Sequence, residues 1–230
     1  MSAQQSASDQ EVNRNRCVLF DLDGTLYNST EYSQKMEEEI AKFVSAEIHT
    51  NYGDAKRILE ECRKKLGTLT KSLESLEIDR ARFFMRMAAR IEPSQYIPKD
   101  PTILATITSL REQGFKVGLV SNSGRPLVDK VLRALQLDES TFDVTVTSSD
   151  VRPKPSAEPF LLALKLLRCR PESAIYVGDR DEAELRPAKE LGIRTILLDR
   201  TGKYSARWAD VVLTKLGAIP VIANQLLQCG

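Results

Sequence analysis

The chain predicts an α/β fold: a parallel sheet flanked by helices, with a helical segment inserted near its start. Three observations carry this. Cys17–Phe20 is a short apolar run that breaks into Asp21-Leu22-Asp23-Gly24-Thr25. Further apolar runs, Phe115–Val120, Asp143–Thr147 and Ala174–Val177, alternate with helical segments, a β-α-β-α pattern that implies parallel strands. Between the first run and the second lies a long stretch, residues 30–97, whose apolar positions recur at helical spacing.

Taken in order, Cys17–Phe20 reads as a buried strand entered from a basic stretch and closed by the turn-former Gly24. Residues 1–14 ahead of it are polar, lack the apolar core of a signal peptide and read as a disordered tail. In residues 30–97, Tyr32, Met36, Ile40, Phe43 and Val44 form one stripe. Ala55, Ile58, Leu59, Cys62 and Leu66 form a second, and Phe83, Phe84, Met87, Ala88 and Ile91 a third, with Asp79 as its N-cap. Such helices bury their stripes against one another, so the expected organisation is an α-helical cap (30–97) inserted into a core made of residues 15–29 and 98–230. Pro93, Pro98 and Pro101 at its exit read as a hinge or stiff linker. Within the core, helices are expected from Pro126 to Leu135, from a Ser156 cap to Leu167, and over Glu182–Leu191 up to Gly192. A strand over Ile193–Leu198, an edge strand over Asp210–Leu213 and a helix over Leu216–Leu227 complete the chain.

Composition narrows the function classes. Lys and Arg total 33 against 32 Asp and Glu, so there is no global basic field for nucleic acid. No apolar run approaches the length that crosses a bilayer. The four cysteines, Cys17, Cys62, Cys169 and Cys229, form no close pair, which points to a reduced, cytoplasmic setting. His49 is the only histidine, at the end of a helical pattern, where it reads as a solvated residue.

The chemistry-bearing residues fall where strands end, and in parallel sheets ligands lie beyond the carboxyl ends of the strands. Alternation places Asp21 and Asp23 on one side, where two carboxylates invite a divalent cation with oxygen ligands. One of them can also act as a nucleophile. The alternative for an Asp-rich turn by itself is a cap on the following helix. The other strands lead to Ser121-Asn122, to Pro153-Lys154-Pro155, and to Gly178-Asp179 followed by Asp181, Glu182 and Glu184.

Asp21-Leu22-Asp23-Gly24-Thr25, strand–Ser121-Asn122, Pro153-Lys154-Pro155 and Gly178-Asp179 together resemble, in order, the four motifs of the haloacid dehalogenase superfamily. The resemblance covers about residues 16–199 and implies a Rossmann-like core with a helical cap. It implies that Asp21 is the nucleophile and Asp23 the general acid/base. Ser121 and the Asn122 backbone would hold the phosphoryl group, Lys154 would neutralise it, and Asp21, Asp23 and Asp179 would hold magnesium. Glu184 stands where many relatives carry a second Asp, and it is not assigned to the inner metal shell.

The residue types suit that reading. A phosphate monoester brings negative charge beside carboxylates, and a cation with Lys154 cancels it. Ser121 can donate to an oxygen as charge spreads in the transition state. The cap segment Leu66–Leu69, with Leu26-Tyr27 after the first motif, resembles the pyrimidine 5′-nucleotidase branch. The expected function is therefore magnesium-dependent hydrolysis of a small phosphorylated metabolite, a pyrimidine nucleoside 5′-monophosphate in the finer reading. A phosphomutase of the same superfamily or a non-catalytic interaction protein are the alternatives.

Overall fold

The computed structural model describes residues 15–202 and 206–228, so the expected N-terminal tail and Cys229 lie outside the described residues. Its centre is a six-stranded, all-parallel sheet in the order β3-β2-β1-β4-β5-β6. The strands are β1 (Arg16–Phe20), β2 (Phe115–Val120), β3 (Val144–Val146), β4 (Ala174–Gly178), β5 (Arg194–Leu198) and β6 (Val211–Leu213). Burial explains the composition of the middle strands. Helices cover both faces of a parallel sheet, so β1 and β4 are sealed on either side and read as continuous apolar runs. The edge strand β6 is shorter and only partly buried.

Four helices separate β1 from the rest of the sheet: α1 (Thr30–Glu47), α2 (Tyr52–Leu66), α3 (Leu69–Ser75) and α4 (Arg80–Arg90). Each begins at a side chain that accepts an otherwise unpaired main-chain N–H: Ser29, Asn51, Thr68 and Asp79. Helix α2 ends at Gly67, whose φ of +81° supplies the left-handed turn that a side chain would resist. The sequence stripes are the buried faces. Phe43 meets Phe83 edge-to-face at 5.4 Å between centroids, and Phe83 meets Phe84 at 5.0 Å. The short α3 has too few residues to show a period of its own.

This helical layer is fixed to the core at α6 (Arg125–Ala134). Lys130 Nζ donates to the Ala88 and Ile91 carbonyls (2.8 and 3.0 Å), closing the end of α4. Phe84 lies so close to Gly124 that a Cβ there would come within 2.6 Å of it. The proline-rich exit differs from a plain linker. Pro93 opens a 3₁₀ turn, and Pro101 is the first residue of α5 (Pro101–Glu112), capped by Asp100.

Two core helices also depart from expectation. Helix α7 (Glu158–Leu167) begins after Ala157 rather than at Ser156, although Ser156 Oγ still accepts from the Glu158 N–H at 3.3 Å. The segment expected as one helix over Glu182–Leu191 is a wide π-helical turn, Asp181–Leu185, followed by the short α8 (Arg186–Glu190). Pro187 cannot donate to a regular ladder. The wider turn carries Glu184 inward, where it is buried. The final helix α9 (Ile219–Gln228) is preceded by a 3₁₀ turn, Leu216–Ala218. No described helix is long and apolar enough to cross a membrane.

Candidate active site

All the motif residues meet beyond the carboxyl ends of β1, β2 and β4. Strand β1 runs out at Asp21, whose N–H still donates to the Val177 carbonyl of β4 at 2.9 Å. The chain then turns tightly. Gly24 adopts φ +90°, and its N–H donates to the Tyr27 carbonyl at 3.0 Å. Only glycine fits here, since a Cβ would stand 2.2 Å from Asp179 Oδ2.

Lys154 is fully buried and occupies the centre of the site. Its ammonium donates to Asp21 Oδ1 (2.6 Å), Tyr176 Oη (2.7 Å), Glu184 Oε1 (3.0 Å) and the Val120 carbonyl (3.0 Å). Burial alone would strip its proton. The Asp21 and Glu184 carboxylates outweigh that and hold its pKa above the ordinary lysine value. Asn122 sets the position of this residue: its amide donates to the Lys154 carbonyl and accepts from the Lys154 N–H, both at 2.8 Å. The Asn122 side chain is thus committed to the lysine loop, and only its main chain remains for a ligand.

Asp21, Asp179 and Glu184 each bring a carboxylate oxygen within 4.8 Å of the others. Crowding tells on them. Burial, then the Asp21 charge, raise Asp179 to about 7 against the pull of Lys154 and Arg180. The same two causes raise Glu184 to about 8. Asp179 Oδ1 is buried with no hydrogen-bond partner. Three converging carboxylates with an orphaned oxygen fit a hard divalent cation such as magnesium. The sequence left Glu184 out of the metal set and put Asp23 in it. In the structure Glu184 joins the trio, whereas the Asp23 carboxylate stands outside it.

The Asp23 side chain opens onto the cleft and accepts from Tyr27 Oη and from Ser123 Oγ (2.9 Å). Its pKa is raised, first by the protein packed around it and then by Asp21, with the two hydrogen bonds opposing. Ser121 is buried at the end of β2; its Oγ accepts from the Ser123 N–H at 3.0 Å and keeps its own hydrogen to donate. Sequence reasoning missed Ser123 and Tyr176, and it noted Tyr27 only as part of the cap-branch resemblance, not as a partner of Asp23. Tyr27 is four residues from Asp23 and Ser123 ends a Ser-Asn-Ser run, both legible as spacing. Tyr176 reads as one more apolar strand residue. Asp181 is outside the carboxylate trio and accepts from the Arg207 and Trp208 N–H groups.

The site opens into a cavity of about 700 Å³, walled by Gly24 and Asp179 on one side and by Leu66, Gly67 and Thr68 on the other. Comparison with known proteins agrees with this architecture. Pyrophosphatase PpaX of Bacillus anthracis (strain A0248) is 33% identical over 217 residues, covering 91% of this chain and 96% of that protein. A HAD phosphatase from Thermococcus onnurineus superposes with a TM-score of 0.69 at 23% identity, covering 90% of this chain and 97% of that one. The HAD-hydrolase YfnB of Bacillus subtilis, solved bound to magnesium, superposes with a TM-score of 0.64 at 19% identity, covering 92% and 99%. The profile of the haloacid dehalogenase-like hydrolases matches residues 18–198, the span that holds the ends of β1, β2 and β4, and the chain belongs to that family.

Proposed function

We propose that this hydrolase is a magnesium-dependent phosphatase acting on a small phosphate monoester through an aspartyl-phosphate. The observation that carries the reading is the buried Lys154 ammonium, 2.6 Å from Asp21 Oδ1, beside a trio of carboxylates. Asp21 attacks phosphorus, and the bond to the leaving oxygen breaks. Asp23, held by Tyr27 and Ser123, gives that oxygen its proton and then takes one from the water that hydrolyses the acyl phosphate. A raised pKa suits the first of these duties. Ser121, the Asn122 main chain and Lys154 hold the phosphoryl oxygens as charge spreads over them. Asp21, Asp179 and Glu184 would hold magnesium, which supplies Lewis-acid charge when bound.

Residues 30–97 act in this reading as a cap that closes the cleft and selects the leaving group. The finer substrate, a pyrimidine nucleoside 5′-monophosphate, is supported by the Leu66–Thr68 segment lining the cavity. The pyrophosphatase relatives bring pyrophosphate into the same panel. The free thiols among the described residues, Cys17, Cys62 and Cys169, are in keeping with a cytoplasmic enzyme.

Phosphate release from p-nitrophenyl phosphate, UMP, AMP, a hexose 6-phosphate and pyrophosphate tests the reading. Activity lost on chelation and restored by magnesium is expected. A pure, folded chain inert toward all of them with magnesium present overturns it.

A further inference from the structure

We infer that Tyr176 is a positioning residue for magnesium: its hydroxyl aims the Glu184 carboxylate into the metal trio and takes no part in the chemistry itself. The inference rests on the phosphatase reading, in which Asp21, Asp179 and Glu184 hold the metal. Tyr176 lies on β4, fully buried, two residues before Gly178. Its ring meets Phe160 of α7 edge-to-face, 4.9 Å between centroids. That packing uses only the ring, and a phenylalanine would supply it. The hydroxyl is a polar group buried at a cost, so the reason for a tyrosine lies in what its oxygen touches.

Counting hydrogens fixes the direction of each contact. An ammonium can only donate, so Lys154 Nζ gives a hydrogen to Tyr176 Oη at 2.7 Å. The single hydrogen of the hydroxyl then goes to Glu184 Oε2 at 3.3 Å. Glu184 Oε1 accepts from Lys154 Nζ at 3.0 Å. Both oxygens of Glu184 are therefore held from the protein side, one by the lysine and one by the tyrosine. Asp179 differs, since its Oδ1 is buried with no hydrogen-bond partner.

Length explains why Glu184 needs the second hold. A glutamate has one more rotatable bond than an aspartate, and its carboxylate turns freely about the last of them unless something grips it. With one oxygen on Lys154 and the other on Tyr176, that rotation is stopped and one face of the carboxylate is left toward Asp21 and Asp179. The backbone is cleared for the pair. A Cβ on Gly178 would stand 2.6 Å from Glu184 Oε2 and 2.9 Å from Tyr176 Cε1. The wide turn Asp181–Leu185 brings Glu184 in from the other side. A hydroxyl at 176, no side chain at 178 and a long acid at 184 thus converge on one oxygen. Partners that orient a metal's ligands in this way are worth about tenfold to a hundredfold in metal affinity.

The test is a magnesium titration of the purified chain without substrate, followed by calorimetry and by the rise in melting temperature. Tyr176→Phe keeps the ring and its packing, and it should weaken the magnesium Kd by about tenfold or more. Glu184→Asp keeps a carboxylate for the metal but draws it back from the hydroxyl by one methylene. In that background Tyr176→Phe should change the Kd by less than about twofold, because the hydroxyl no longer has the acid it acts through. A Kd unmoved by Tyr176→Phe, whatever happens to the metal-free melting temperature, makes the hydroxyl a structural group and overturns the inference. An equal loss in both backgrounds also overturns it, since the effect then bypasses Glu184. Either result leaves the phosphatase reading standing. A folded wild-type chain that binds no magnesium overturns the metal-dependent reading and this inference with it.

Discussion

Lys154 and Lys42 are each flanked by two carboxylates, with opposite surroundings. Lys154 sits between Asp21 and Glu184 with no exposure to solvent. Lys42, on α1, has an exposed ammonium that pairs with the exposed Glu38 and with the buried Glu39 (3.0 Å to the latter). With the Lys42 ammonium in water, its i,i+3 and i,i+4 contacts are an ordinary helix-face network, which contributes little to stability. Sealed from water, the same charges are expensive to hold and gain force over anything that enters. The molecule bears the cost of buried charge at one place only among the described lysines, and that place is the end of β1.

The largest effect expected from breaking the buried cluster is on chemistry. Asp21→Asn should abolish magnesium-dependent release of p-nitrophenol, since the amide is no nucleophile and weakens the carboxylate trio. Undiminished turnover by the purified variant would remove Asp21 from the reaction.

Lys154→Ala should cost both activity and fold. Leaving Asp21 and Glu184 buried without their cation should destabilise the protein by about 3–5 kcal/mol in urea melts. Lys154→Met combined with Asp21→Asn and Glu184→Gln should recover most of that loss while remaining inactive, because an uncharged cluster has no unpaired ion to bury. A single variant as stable as wild type would show that the cluster is wetter than its burial implies.

Asp23→Asn should slow turnover of alkyl phosphates by about 10²–10⁴-fold. The loss should shrink for p-nitrophenyl phosphate, whose leaving oxygen needs no proton. Equal losses for both ester types would separate Asp23 from leaving-group protonation.

Acidity offers a subtler contrast. Asp179 and Glu184 have native pKa values raised to about 7 and about 8 from 3.8 and 4.5. A raised acid binds its proton more tightly when folded, so its contribution is present below the unfolded value and lost as pH rises through the native one. Metal-free protein should therefore lose thermal stability from about pH 4 to about pH 8, and magnesium should restore it most at the upper end. A metal-free melting temperature that rises across that window would contradict the crowding of the trio.

The smallest effect belongs to the surface cluster. Lys42→Ala should shift the melting temperature by about 2 °C or less and leave kcat/KM unchanged.

Much of this was legible in the sequence, for reasons tied to particular residues. Apolar runs ending on Asp21, Ser121 and Asp179 gave the parallel sheet and the edge where its chemistry gathers. The aromatic and aliphatic stripes of α1, α2 and α4 marked their buried faces. What escaped depends on contacts distant along the chain. Nothing in Ala174–Val177 distinguishes Tyr176 from a core aromatic until Lys154 reaches its hydroxyl. Glu184 is one acid among several until Pro187 and the wide turn carry it inward. Seven residues of α3 are too few to show a period, although Thr68 has the chemistry of a cap.

The place of β1 in the sheet also bears on how the molecule is made. Cys17 pairs with Lys116 on one side and with Ala174 on the other, so the strand that leads to Asp21 leaves the ribosome before both neighbours and waits for them. Pairings so distant along the chain fold slowly, because loops must close before their contacts form. Until β4 emerges, one edge of an apolar strand stays open to wrong partners, the situation in which chaperones protect a nascent chain. Asp21 is synthesised long before β4, the strand that completes its surroundings, so recovered activity would be a stringent measure of complete refolding.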